Sequence, residues 1–303
     1  MNSKKIAKSH TIFQCIPCYK PIPTIRIIRT ILKESDSRIL LDIEDSIGDM
    51  FNKERNIILK RQARIDFREI LNEVNDINFD IRINPINSIE FTKDHLLITP
   101  YLSRVRSVLL PKTEELIDLD LFYKNFPINT QISLIIESEK GIKNLEEILH
   151  SKYRENIEYV FFGNYDYHLS QNIFPINEQY SEKYWEIIKP IISITEKNNC
   201  KFGNSPYTRL NDFNCLNYAY NNLISCCTKD FAVMSLHKKQ TLYFSKIINN
   251  TELEIKQRYI DYPTRFIFDD NKLRGRSFAL DKNQRIITPQ EQILIQKRET
   301  KLK

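Results

Sequence analysis

The hydrophobic pattern of the chain is clearest between residues 132 and 166, where two short apolar runs flank an amphipathic stretch. Ile132–Ile136 leads into Glu137, and Tyr159–Phe162 leads to Asp166 a few residues later. Between the two runs, 142–149 places apolar residues at helical spacing. This pattern predicts a strand, a helix and a second strand, with a carboxylate just beyond the end of each strand.

The same alternation of apolar runs and amphipathic stretches continues along most of the chain. Helical spacing is seen in 24–34, 53–74 and 182–198. The runs that predict strands are Thr11–Cys18, Arg38–Glu44, Phe79–Pro85, Ser107–Lys112, Ile132–Glu137, Ile157–Gly163, Cys200–Tyr207 and Phe231–His237. Because the runs are mostly continuously apolar, and their connections have the length that parallel strands need, we expect a parallel sheet covered on both faces.

Eight strands with helical crossovers predict the α/β fold class, in the form of a (β/α)8 TIM barrel with a C-terminal helical or lid extension. We assign residues 1–248 to the barrel, with its first strand starting near residue 8. Residues 249–303 form the extension, as a lid or oligomerisation segment. Within it we predict a helix over 252–259, a polar loop over 269–276, and a last helix over Pro289–Lys301 with Thr288 as its N-cap.

Composition limits the classes of protein that this chain can represent. Of its 303 residues, 41% are hydrophobic, which is enough to bury a large core. The net charge of +6 comes from lysines and arginines in the two tails, so we do not expect nucleic-acid binding. No signal peptide or membrane-spanning segment is seen, which predicts a cytoplasmic protein whose cysteines are reduced. We therefore interpret Cys15 and Cys18, a lone CxxC pair, as small buried hydrophobic residues.

Glycine is scarce, and this excludes two common nucleotide-binding motifs. The chain has five glycines, and their positions cannot form a GxGxxG fingerprint or a phosphate-binding P-loop. The candidate functional residues are therefore not part of a glycine-rich nucleotide-binding motif. In parallel barrels, active sites are built at the C-terminal ends of the strands.

Charged residues do follow the predicted strands at that end. Glu137 and Asp166 come after two consecutive strands, and two carboxylates there are suited to a hard cation such as Mg²⁺. Arg82 lies in an apolar run and needs an anion, either a substrate carboxylate or the acids Asp42 and Glu44. Strand alternation places Asp42 and Glu44 on one side of the second strand and Asp45 on the other.

Two further strand-end residues have less specific interpretations. Lys112 follows the fourth strand and is either a ligand-binding residue or a structural ion-pair partner. His237 follows the eighth strand, where we expect a hydrogen-bonded structural histidine rather than a catalyst.

The ordered set of strand-end motifs resembles the citrate lyase β-subunit-like family within the HpcH/HpaI aldolase/citrate lyase superfamily. The resemblance covers about residues 10–248. The matching motifs are LLDIEDS (40–46), IRINP (81–85), VLLPKTE (108–114), LIIESEKGIKN (134–144), FFGNYDY (161–167), SPYTRLND (205–212) and SLHKKQ (235–240).

The resemblance implies a Mg²⁺-dependent carbon–carbon lyase or aldolase acting on a 3-hydroxy acid or its CoA thioester. Glu137 and Asp166 would hold the metal. Together with Arg82 and Lys112 they would bind a keto acid such as oxaloacetate, pyruvate or glyoxylate. The catalytic residues would be Arg82, Glu44 and Asp45. The resemblance also implies a homo-oligomer, a trimer or hexamer, that acts on small molecules without nucleic-acid or membrane partners.

Two departures from the family pattern bear on the substrate and on turnover. The first strand, FQCIPCYKP, lacks the arginine and glycine of typical members. The extension reads Arg285-Ile286-Ile287-Thr288-Pro289 where CoA-using members carry an aspartate. CoA use therefore stays open, and a catalytically degenerate barrel that binds a ligand or serves as a scaffold is the alternative function.

Overall fold

Eight parallel strands close into a barrel in the computed structural model, which describes residues 10–49, 51–249, 279–280 and 285–301. Each strand pairs with its sequence neighbours, and the last pairs back with the first. The strands are β1 Thr11–Pro17, β2 Arg38–Asp42, β3 Phe79–Arg82, β4 Val105–Leu110, β5 Ile132–Ile136, β6 Ile157–Phe162, β7 Lys201–Asn204 and β8 Phe231–Ser235. The predicted (β/α)8 fold and all eight predicted strands are confirmed.

Helices connect the strands and cover the outside of the barrel. They are α1 Pro21–Glu34, α2 Lys53–Glu73, α3 Ile89–Ile98, α4 Leu116–Tyr123, α5 Glu139–Leu149, α6 Asn164–Ser170, α7 Glu182–Lys197, α8 Phe213–Cys226 and α9 Lys238–Asn249. In α5, for example, Leu145, Ile148 and Leu149 form the buried face, and the Ser138 side chain caps the start by accepting from the Gly141 amide. Among the described residues, no helix has the length and apolar character that a membrane span requires.

The strands end one to three residues earlier than their apolar runs predicted, and at β2 the reason is local hydrogen bonding. After Asp42, the amides of Glu44 and Ser46 donate to the Asp42 carboxylate at 3.0 and 3.3 Å instead of continuing the sheet. After β4, Lys112 adopts a left-handed backbone with φ 55°. The chain therefore turns at each strand end, and polar side chains come to face the mouth of the barrel.

Aromatic and charged residues fill the N-terminal half of the barrel interior. Phe13 packs edge-to-face against Tyr159 and Phe161, with ring centroids 5.3 Å away in both cases. Below them, Arg38 lies 4.6 Å from the Phe13 ring centroid and pairs with the carboxylates of Asp80 and Glu158. This packed layer is structural, so ligand access is expected from the opposite, C-terminal end.

The C-terminal segment lies on that end of the barrel. Strand β9, Ala279–Leu280, pairs antiparallel with β10, Ile286–Ile287, and the predicted last helix follows as α10, Pro289–Lys301. The predicted N-cap is also seen, because Thr288 Oγ1 accepts from the Glu291 amide at 3.3 Å. The helix predicted over 252–259 and the loop over 269–276 lie outside the described residues. The division of the chain at residue 248 stays a prediction.

A buried arginine attaches this segment to the barrel. Arg285 Nε donates to Glu178 Oε1 at 2.8 Å, and its Nη2 contacts both carboxylate oxygens of Glu291 at 2.7 and 2.9 Å. The Ile286 amide also donates to the Thr208 carbonyl at 2.9 Å. The start of α10 is therefore held directly above the strand ends.

Candidate active site

The acidic turn after β2 is fixed by its own side chains and by a lysine from α2. The Asp42 carboxylate caps the turn, and Lys60 Nζ donates to the carbonyl oxygens of Ile43 and Glu44. Because the strand ends at Asp42, its alternation does not extend to Glu44 and Asp45. Asp45 lines the same cavity as Arg82, which also contacts Glu44, so the predicted separation of Asp45 from Glu44 is wrong.

Arg82, the last residue of β3, is paired with two acids of that turn. Its Nε and Nη2 contact the two Asp42 oxygens at 2.9 and 2.5 Å, and Nη1 lies 3.2 Å from Glu44 Oε2. Burial alone would raise the pKa of Asp42, but the Arg82 guanidinium outweighs it and holds that pKa below its usual value. Each Nη carries a second hydrogen beyond these contacts, and Arg82 also lines the central cavity.

Glu137 follows β5 and is fixed by the chain on both sides. The Lys112 amide donates to Glu137 Oε2 at 2.9 Å. On the other side the Glu137 side chain lies over Gly163, where a Cβ atom would be 2.3 Å from Glu137 Cγ. The position therefore requires glycine because the carboxylate arm occupies the space of a side chain, and not because of an unusual backbone angle.

Asp166, in the first turn of α6, completes the cluster. Its Oδ1 lies 3.6 Å from Lys112 Nζ, which is 3.7 Å from Glu44 Oε1. Its Oδ2 accepts from Gln290 Nε2 at 2.7 Å, and the same amide donates to Asp45 Oδ2 at 2.7 Å. The structure thus brings together all six residues predicted for the site.

Gln290 is the site residue that sequence reasoning missed. It lies in the first turn of α10 and is 2% exposed. Its only signal in the sequence is a position at the start of a predicted helix, and this does not distinguish it from a surface residue. His237 agrees with its structural interpretation, since its Nδ1 accepts from the Lys239 amide at the start of α9. Cys15 and Cys18 are buried free thiols, as expected.

With every group ionised, negative charge would exceed positive charge in this cluster by two. The cations are Lys60, Arg82 and Lys112, and the carboxylates are Asp42, Glu44, Asp45, Glu137 and Asp166. Such an excess in a buried site is costly unless protons or a cation compensate for it. The unbalanced charge equals that of one divalent ion.

The pKa values of the carboxyl groups reflect this crowding. Burial, with the Asp45 charge, raises the pKa of Asp166 to about 7 and that of Glu44 to about 8. Burial, with the Asp166 charge, raises the pKa of Glu137 well above its usual value. Burial acts against ionisation of Asp45 too, but Lys112 and Arg82 outweigh it and lower its pKa to about 2. The metal-free site therefore retains protons near neutral pH.

Two cavities meet at this cluster. The central one, about 60 Å³, lies at the barrel axis and is lined by Asp45, Arg82, Glu137 and Asp166, by apolar side chains such as Phe161 and Met234, and by Thr288 and Gln290 above. The outer one, about 490 Å³, shares Glu137 and Asp166 and extends over Lys112, Glu114 and Asp118. A small ligand in the central cavity can thus continue outward past the two shared carboxylates.

Comparison with known families agrees with this geometry. The model of the HpcH/HpaI aldolase/citrate lyase family matches residues 25–173, which contain every site residue from Asp42 to Asp166. This stretch of the chain is similar to that family. Comparison with curated proteins gives no match.

Solved structures share the barrel fold of this chain at low sequence identity. The citrate lyase β subunit of M. tuberculosis, complexed with oxaloacetate and magnesium, is 12% identical, with a TM-score of 0.58 over 80% of this chain and 98% of that one. RipC from Yersinia pestis is 17% identical, with a TM-score of 0.56 over 80% and 94%. Haloferax volcanii malate synthase, in a pyruvate/acetyl-CoA ternary complex, is 12% identical, with a TM-score of 0.61 over 83% and 72%. At these identities the likeness establishes the fold.

Replacing Gly163 tests the placement of Glu137. In Gly163→Ala the new methyl group occupies the space of the Glu137 arm, so we expect Mg²⁺ affinity, measured by calorimetry, to fall by about tenfold or more. Gly203→Ala, whose Cβ would meet the Phe161 ring at 2.2 Å, controls for the general cost of overpacking. Equal Mg²⁺ affinity in Gly163→Ala and wild type would contradict this placement.

The pH dependence of stability tests the raised pKa of Asp166. Between about pH 4 and pH 7 the folded protein keeps a proton on Asp166 that the unfolded chain has released, so ionisation costs the folded state stability as pH rises through this window. In EDTA, the unfolding free energy of wild type minus that of Asp166→Asn should therefore decrease from pH 5 to pH 8. A difference that stays constant or increases would be inconsistent with the raised pKa.

Proposed function

We propose that this chain is a Mg²⁺-dependent carbon–carbon lyase or aldolase that cleaves or forms a bond in a 3-hydroxy acid. The reaction passes through the enolate of an oxaloacetate-, pyruvate- or glyoxylate-like fragment. The observation that carries the proposal is the convergence of Glu137, Asp166, Asp45 and Arg82 on one cavity, where crowding of the carboxyl groups raises the pKa values of Glu137 and Asp166. The similarity of residues 25–173 to a family of aldolases and lyases supports the reaction class.

Glu137 and Asp166 are suited to hold the metal. Mg²⁺ prefers oxygen ligands and commonly takes one or two carboxylates from a protein, with water and substrate oxygens completing its shell. Within the described part of the chain, no group of three His, Cys, Asp or Glu side chains is arranged to hold a metal ion. When bound, Mg²⁺ would supply Lewis-acid stabilisation of negative charge on a substrate oxygen.

Arg82 and Lys112 are suited to hold the substrate. Asp42 fixes the plane of the Arg82 guanidinium, and the remaining Nη hydrogens are available to a carboxylate or keto oxygen in the cavity. Lys112 adds positive charge between Glu44 and Asp166 at the border of the outer cavity. Its pKa is raised by the surrounding carboxylates, although burial opposes this, so the amine stays protonated and does not act as a Schiff-base nucleophile.

Asp45 is suited to move the proton. It lines the cavity and is ionised at neutral pH, so it can receive the proton of the substrate's 3-hydroxyl group. The electron pair of that oxygen then forms a carbonyl, the neighbouring carbon–carbon bond breaks, and its electrons remain on the departing fragment as an enolate. Arg82 donates to the developing charge. Glu44 is buried against Arg82 and Lys112, and it acts by positioning them.

The outer cavity favours a free acid over a CoA thioester as substrate. Among the described residues that line it, Lys112 is the one cation, whereas Glu114, Asp118, Glu137 and Asp166 contribute four carboxyl groups. The diphosphate of CoA would meet a negatively charged wall there. The trimer or hexamer expected for the family stays a prediction.

A ligand-binding or scaffold barrel without turnover is the second candidate. It is favoured by the contacts of Arg82, whose three guanidinium nitrogens all face carboxylates of the chain itself. A substrate must compete for this side chain with its two partners. Turnover assays on 3-hydroxy acids and on keto acid–aldehyde pairs distinguish the two candidates.

A thermal-shift titration tests the proposed site. A ligand that binds the folded state raises the melting temperature by mass action. We expect oxaloacetate, pyruvate or glyoxylate to stabilise wild type only in the presence of Mg²⁺. Glu137→Gln and Asp166→Asn, which remove a charged ligand each, should abolish this stabilisation while the proteins still unfold cooperatively.

Glu146→Gln is the matched control for this titration. Glu146 is an exposed carboxylate on α5, paired with Lys197. Its substitution should therefore leave the melting temperatures measured with the keto acid, in the presence and in the absence of Mg²⁺, as they are in wild type. Keto-acid stabilisation that is independent of Mg²⁺, or that persists in Glu137→Gln, would remove the metal site from the proposal. Binding without turnover on any substrate would favour the scaffold candidate.

A further inference from the structure

Gln290 joins two carboxylates that belong to different loops of the barrel. Its single amide nitrogen carries two hydrogens, and it contacts Asp45 Oδ2 and Asp166 Oδ2, each at 2.7 Å. These contacts connect the β2 turn with the start of α6 through a residue from the far end of the chain. One side chain thereby fixes the separation of the two acids.

The two oxygens of Asp166 face different partners. Oδ2 accepts from Gln290 at 2.7 Å, whereas Oδ1 lies 3.6 Å from Lys112 Nζ. A cation that binds Oδ2 would compete with the short hydrogen bond from Gln290, whereas one that binds Oδ1 would compete with the more distant ammonium group of Lys112. Which of these two groups moves decides which oxygen is offered.

Lys112 is the donor that can leave at lower cost. Its side chain is 40% exposed, its Nζ contacts are longer than 3.5 Å, and it lines the outer cavity into which it can withdraw. A divalent ion would also replace its positive charge, so the carboxylates remain compensated. Gln290, by contrast, is buried and makes two short hydrogen bonds.

The segment that carries Gln290 is itself firmly held. Arg285, five residues earlier, is buried between Glu178 and Glu291, and Thr288 caps the helix on which Gln290 lies. Withdrawal of Gln290 would disturb this buried ion-pair network, whereas withdrawal of Lys112 moves one exposed side chain. The side-chain amide is thus preorganised on the barrel before any ligand arrives.

Taking the proposed function as given, we propose that Gln290 is a positioning residue for the metal-binding carboxylates. It holds Asp166 by Oδ2 and so presents Oδ1 to the divalent cation, which takes the place of the Lys112 ammonium group. Partners that orient a ligating carboxylate in this way typically change metal affinity by about 10- to 100-fold when they are removed.

Calorimetric Mg²⁺ titration of wild type, Gln290→Leu and Gln296→Leu tests this role. Leucine keeps the approximate volume of glutamine but donates no hydrogen bond. We expect Gln290→Leu to bind Mg²⁺ about 10- to 100-fold more weakly. Gln296→Leu, on the exposed face of the same helix, should bind like wild type. Lys112→Met should bind Mg²⁺ at least as tightly as wild type, because no ammonium group has to be displaced.

The outcomes separate this role from the proposed function. If wild type binds no Mg²⁺, the proposed function fails. If wild type binds and Gln290→Leu binds equally or more tightly, or if Lys112→Met binds more weakly, the role of Gln290 is refuted while the metal site stands. A purely structural role would lower the melting temperature in EDTA without changing Mg²⁺ affinity. If Gln290→Leu does not fold, Gln290→Asn replaces it in the test. The asparagine side chain is too short to reach both acids, so we expect the same loss of Mg²⁺ affinity.

Discussion

Electrostatic repulsion among buried carboxylates is the constraint on which the mouth of this barrel depends. Parallel strands bring their C-terminal ends to one edge, and here five acids follow those ends within a small volume. The Arg82–Asp42 pair removes part of the repulsion and joins β2 to β3 at the same time. The positive charge of Lys112, and the protons that Glu44 and Asp166 retain because their pKa values are raised, compensate for the remaining repulsion. A divalent cation, as proposed, would take over from these protons the compensation of the carboxylate charge.

The C-terminal segment is the second determinant of the site. Its described residues that line the central cavity, Thr288 and Gln290, are uncharged and cover the cavity. Its attachment through Arg285 to Glu178 is buried and charge-assisted, and such a pair is costly to break because the partner would remain buried and unpaired. The described part of the segment is therefore positioned by a strong ion pair away from the candidate site and by weaker amide contacts within it.

The strands and several site residues could be predicted from sequence because both depend on local patterns. Apolar runs such as Ile132–Ile136 identify buried parallel strands, and the topology then brings Glu137 and Asp166 to one edge without further information. Strand ends were less predictable. The prediction that Asp45 lies on the opposite side of the strand from Glu44 was wrong, because hydrogen bonds to the Asp42 side chain end the strand and turn the chain.

Long-range pairing was beyond local patterns. Arg82 had two plausible partners in the sequence, and only the packed barrel shows that it contacts Asp42 and Glu44. Gln290 lies 124 residues from Asp166 and 245 from Asp45, and no periodicity or motif connects such distant positions. Contacts of this kind depend on the docking of the C-terminal segment, which is set by tertiary packing.

The most direct test of the central claim is a crystal structure of the protein soaked with Mn²⁺ and oxaloacetate, with the ion located by its anomalous signal. The account predicts one anomalous peak within bonding distance of a carboxylate oxygen of Glu137 and of Asp166, with the keto acid beside it and facing Arg82. The absence of a peak at full soaking concentration, or a peak on other residues with the Glu137–Asp166 cluster unchanged, would contradict it.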